Sequence, residues 1–177
     1  MTTELRADCA RCCGLCCVGP AFDADQGFGF NKPAHTPCMN LGSDFRCTIH
    51  GERLRHGFPS CQAFDCYGAG QRVTQHLFGG KSWRTSPELA TRMFDAYRTY
   101  RSLHELLALL DAALEHIETP HAPELRALYH HIDNLCERSV IAIDTTALRK
   151  QVLSLLRQLS RNPAGRDDSN CTALPPQ

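Results

Sequence analysis

The residues best suited to chemistry in this chain are its cysteines. Of 11 cysteines in 177 residues, all but Cys136 and Cys171 fall between positions 9 and 66. They open as Cys9-x2-Cys12-Cys13-x2-Cys16-Cys17 and continue as Cys38, Cys47, Cys61 and Cys66. Thiolates are soft, polarisable ligands that give up a proton on binding, and at short spacing they suit zinc or an iron-sulfur centre. A disulfide framework fits less well, because the adjacent pairs Cys12-Cys13 and Cys16-Cys17 diverge along the backbone. His50, in Cys47-x2-His50, has ligand spacing of its own.

Other chemistries find little support. Gly68 and Gly70 lack the further glycine and the Lys-Ser/Thr pair of a phosphate loop. Phe58-Pro59-Ser60-Cys61 is not a glycine-flanked nucleophile turn. Cys9 and Cys12 have dithiol spacing, but the surrounding thiols compete with a simple redox pair. His35, His50, His56, Asp44 and Asp65 offer bases for hydrolytic metal chemistry, and no spacing singles one out. The formal net charge of zero, without a basic stripe, argues against nucleic acid as a partner. No apolar run stands after Met1, so no membrane partner is expected and a reducing, cytoplasmic setting is the default reading.

Holding the cysteines in place falls to the chain around them. Leu5 to Cys17 reads as one or two helical turns weakened by Gly14, ending at Gly19-Pro20. Phe22, Phe28 and Phe30 form either a minimal core or a cover for the metal site. The stretch from Thr36 to His50 reads as a hairpin whose Gly42-Ser43-Asp44 turn brings Cys38 beside Cys47. Gln71 to Leu77 reads as a helix, and Trp83 as the packing residue where the two parts of the chain meet.

Ser86-Pro87-Glu88 then caps a long helix whose stripe runs through Leu89, Met93, Tyr97, Tyr100, Leu103, Leu107, Leu110, Leu114 and Ile117 to Thr119-Pro120. A second helix starts near Ala122-Pro123-Glu124 with Leu125, Leu128, Ile132 and Cys136 inward. A third, capped by Asp144 or Thr145, carries Leu148, Val152, Leu155 and Leu159. His104, His116, His121, His130 and His131 read as solvated or packing residues rather than ligands. Residues 162–177 read as a disordered tail in which Cys171 is no ligand.

The combined pattern of Cys9, Cys12 and Cys16-Cys17, then Cys38 before a turn, Cys47 in Cys-Thr-Ile-His, and Cys61, resembles the YkgJ-type proteins, a family of zinc- or iron-chelating cysteine clusters. It is also similar to the cluster region of flagellin lysine N-methylases and to the cysteine-rich region before pentapeptide repeats in some actinobacterial proteins. The resemblance covers roughly residues 5–85. It implies Cys9, Cys12, Cys16, Cys17, Cys38, Cys47 and Cys61 as metal ligands, with Cys66 as a further one, and leaves Cys13 as the spare thiol. His50 stands where the family often has tyrosine, and the chain carries no pentapeptide repeat.

The resulting expectation is a small metal-stabilised cysteine-rich module over 1–85, built of irregular chain, short helices and a hairpin, packed on an all-α helical part over 86–161. Its function is to coordinate zinc or an iron-sulfur cluster. Two alternatives stay open: an enzyme acting on a peptide or small molecule at an iron centre, and an adaptor with structural zinc. A protein partner is expected through the helical part, with Leu103 to Leu114 as its surface.

Overall fold

The computed structural model describes residues 3–116, 121–138 and 141–161. Cys171 and the tail expected over 162–177 lie outside the described residues, as do Ile117 and the helix stop at Thr119-Pro120.

The longest element is a helix over Pro87–His116, here α4, preceded in chain order by the short helices α1 (Leu15–Val18), α2 (Pro59–Ala63) and α3 (Ala69–Gln71). Its start obeys the sequence signal: the Ser86 hydroxyl accepts the Leu89 amide at 3.2 Å, and proline takes the first position, where no amide is needed. Met93, Tyr97, Tyr100, Leu103, Leu107 and Leu110 are all buried. Each fully buried leucine among them contributes about 1.5–3 kcal/mol. Helices α5 (Ala122–Glu137) and α6 (Thr146–Arg161) pack against α4. The first α6 turn is capped by Asp144, whose carboxylate accepts the Thr146 amide at 2.9 Å. Leu103, Leu107 and Leu110 are therefore core residues between helices.

The cysteine-rich part shares this core. Cys13, Leu15 and Val18 from its start, and Ala69, Val73 and Phe78 from its end, belong to the same buried cluster as the α4 stripe. Helix α3 runs directly into a wider π-helical stretch over Arg72–Leu77, and both rest on α4.

The expected hairpin is not formed. Among the described residues there is no strand, only the isolated bridges Phe22 with Lys32 and Leu41 with Cys47. The turn itself exists, with the Gly42 amide on the Arg46 carbonyl at 2.8 Å and the Thr48 amide on the Asn40 carbonyl at 2.8 Å. A ladder needs consecutive extended residues, and Phe45 at φ +66° breaks that run on one side while the chain coils into a 3-10 turn at His50–Glu52 on the other. The metal-stabilised description is corrected as well: an apolar core continuous with α4 supports this region, and no group of three or more Cys, His, Asp or Glu able to hold a metal ion is found among the described residues.

Between α1 and the Cys38 segment, the loop is held by a lysine whose role no local pattern signals. Lys32 is 4% exposed, and its ammonium donates to the carbonyls of Pro20 at 2.6 Å, Thr36 at 2.7 Å and Pro33 at 3.1 Å. It also lies 4.5 Å from the centre of the Phe22 ring, which stacks on Phe28. Phe30 packs edge-on against Phe58, so the phenylalanines form a small satellite core.

Candidate metal centre

Cys9 sits at the start of a 3-10 turn, Cys9–Arg11, capped by Asp8, whose carboxylate accepts the Ala10 amide at 2.9 Å. The approach to this turn is fixed by buried Gln71 of α3, which accepts the Asp8 amide at 2.5 Å and donates to the Arg6 carbonyl at 2.8 Å. Further upstream, Thr3 is bonded to Asp133 of α5. Two helical elements thus pin the lead that presents Cys9.

Cys12 and Cys13 are neighbours with opposite fates. Cys13 is 3% exposed in the apolar core, with its amide 3.2 Å from the Thr74 hydroxyl and its carbonyl accepting the Trp83 indole N–H at 2.8 Å. Cys12 instead lines a cavity of about 20 Å³ together with Cys9, Cys16, Cys66, Asp8, Gly70, Gln71 and Tyr97. Gly14 makes the turn possible: it has φ +71°, and a Cβ there would stand 2.7 Å from Leu41. Gly70 lets α3 close on the cavity, because a Cβ at that position would lie 2.6 Å from the Cys12 sulfur.

Cys16 is the hub. Its sulfur is 3.9 Å from that of Cys17, and its charge would bear on Cys9, Cys12, Cys38, Cys61 and Cys66. Cys38 and Cys61 in turn feel Cys47. Cys9, Cys12, Cys16 and Cys66 therefore share the cavity, Cys38, Cys47 and Cys61 act on one another and on the Cys16 side, and Cys17 touches Cys16.

Burial and mutual repulsion favour the thiol form at Cys9, Cys12, Cys16, Cys38, Cys61 and Cys66. Burial pushes Cys12 up to about 12, and burial with the charges of Cys16, Cys38 and Cys47 pushes Cys61 up to about 11. Cys16 is raised by its contact with Cys17 and then by burial, and Cys9, Cys38 and Cys66 are raised chiefly by burial. Opposing this, nearby backbone amides favour the charged form. Those of Leu15 and Gly14 favour the Cys12 thiolate, those of Gly70 and Gly68 the Cys66 thiolate, and the Asn40 amide lies 3.4 Å from the Cys38 sulfur. Amides aimed at sulfur favour the charged form, and a cation removes the remaining penalty.

Comparison with known proteins gives two relatives. YybG of Bacillus subtilis (strain 168) is 43% identical over 137 residues, covering 77% of this chain and 49% of YybG. The UPF0153 protein YeiW of Escherichia coli (strain K12) is 39% identical over 49 residues, covering 27% of this chain and 58% of YeiW. The chain spans about half the length of these curated relatives. No protein-family model matches the chain, and no solved structure matches it. The YkgJ designation and the link to pentapeptide-repeat proteins find no counterpart in these names.

Tested against a soft metal, the donor set fits in kind, with four thiols lining a common cavity. A closed ligand shell is not formed among the described residues. His50 is exposed and does not line the cavity, and its ring is kept below the usual imidazole range by partial burial and then by Arg53. No described helix is long and apolar enough to cross a membrane.

Spacing alone puts Tyr97 in the α4 stripe and Gln71 at a helix start, and it misses what both residues do beside the thiols. Tyr97 carries a weak signal, a hydroxyl on a face that is otherwise apolar apart from Tyr100.

Proposed function

We propose that this protein binds a soft metal, as zinc or an iron-sulfur cluster, through Cys9, Cys12, Cys16 and Cys66, with Cys17, Cys38, Cys47 and Cys61 as a second ligand group. The observation that supports this reading best is the cavity lined by Cys9, Cys12, Cys16 and Cys66. Thiolates in such a setting would supply charge to the metal, while the Gln71 and Asp133 contacts hold the chain that carries Cys9. Eight candidate thiols are enough in number to complete more than one four-ligand site.

The test is zinc uptake by reduced, chelator-stripped protein, monitored with a competing chromophoric chelator. Uptake of at least about one equivalent is expected, with protons released and affinity rising with pH, because each buried thiol must ionise to bind. Helix content by circular dichroism is expected to stay constant through stripping and reloading, because the α4 stripe packs in a continuous apolar core. Absence of tight zinc or iron binding across neutral and mildly alkaline pH would count against the reading.

A further inference from the structure

Tyr97 stands in the middle of α4, 2% exposed, with its ring edge against the backbone at Gly19, where a Cβ would come within 3.2 Å of it. Its hydroxyl is buried and has no hydrogen-bond partner among the described residues. A buried hydroxyl without a partner is destabilising, so its retention needs a reason. Its surroundings supply one. Tyr97 is part of the wall of the thiol cavity, and the leading ionisable groups acting on it are Cys16, Cys66 and Cys12. A protonated thiol is a poor acceptor, whereas a thiolate is a strong one.

We propose that Tyr97 is a positioning residue for the metal centre, its hydroxyl donating a hydrogen bond to a metal-bound thiolate of the Cys16, Cys66 and Cys12 group. The inference rests on the metal-binding reading above. It makes the same hydroxyl unfavourable without metal and favourable with it. A thiolate can only accept, so in a bond between the two the Tyr97 hydroxyl is the donor. Outer donors of this kind set ligand basicity and orientation, and their loss typically weakens metal binding about 10- to 100-fold.

The test compares wild type with Tyr97→Phe, which keeps the ring, using zinc by chelator competition and cobalt(II) as a spectroscopic probe. Tyr97→Phe is expected to match or exceed wild-type stability without metal, to bind zinc about tenfold more weakly, and to shift the sulfur-to-cobalt charge-transfer band. Tyr100→Phe is the control: its hydroxyl donates to the Cys136 carbonyl at 3.0 Å, so its loss lowers stability and leaves zinc affinity and the cobalt band unchanged. Wild-type zinc affinity and an unshifted band in Tyr97→Phe would overturn the inference while leaving the metal reading standing. A wild-type protein that takes up neither ion would overturn both. Should Tyr97→Phe not fold, the near-UV tyrosine band of wild type decides, with perturbation on zinc addition supporting the role and its absence overturning it.

Discussion

Cys16→Ser protein is expected to lose metal affinity by at least about a hundredfold, while Cys13→Ala protein keeps it. The two residues are three positions apart in sequence and differ in what surrounds them. Cys16 touches Cys17 and acts on most of the other clustered thiols, so a serine there removes the sulfur common to both groups. Cys13 sits in the apolar core beside Thr74 and beneath Trp83. Removing its sulfur leaves a small void, costing about 1 kcal/mol and a few degrees of melting temperature. Metal-to-protein ratios after gel filtration, read beside thermal melts, check both expectations. Equal metal loss in the two variants would show that stability, and not ligation, governs uptake.

Stability is expected to fall by about 3 kcal/mol between pH 6.5 and pH 4, with His104 as the cause. This imidazole is fully buried on α4, with Nδ1 2.6 Å from the Tyr67 carbonyl and Nε2 without a partner among the described residues. Since the carbonyl can only accept, Nδ1 carries the proton and Nε2 keeps a bare lone pair. Burial lowers the His104 pKa to about 4. The folded-state pKa is therefore below the unfolded value of 6.5. Stability is fully present above that value, declines as the unfolded chain takes up the proton first, and levels off below about 4. Urea midpoints at a series of pH values give the slope, and the His104 ring proton shift locates its titration. A ring that titrates at its ordinary value in the folded protein would contradict this assignment.

The helical part was legible because its signals are local. Ser86-Pro87, the three- and four-residue stripe of α4, and Asp144 ahead of α6 each act within a turn or two of chain, and each appears where the spacing placed it. The hairpin was not legible. Its turn residues do make a turn, but strand pairing depends on Phe45 and on the chain just past Cys47, and neither announces a left-handed residue or a 3-10 turn. The assignment of Cys13 to the core rests on partners about sixty or seventy residues away, Thr74 and Trp83. Lys32, Gln71 and Tyr97 were out of reach for the same reason. Their roles come from carbonyls, amides and thiols brought to them by the fold, while their spacing resembles that of ordinary surface or stripe residues.

Whether the clustered sulfurs hold a metal is decided by X-ray absorption at the metal edge, on protein purified without oxygen. Bound zinc or iron surrounded by sulfur at about 2.3 Å is the predicted result, with acid-labile sulfide and a brown absorbance if the metal is iron. Metal-free protein, or metal with only nitrogen and oxygen neighbours at about 2.0–2.1 Å, would contradict it.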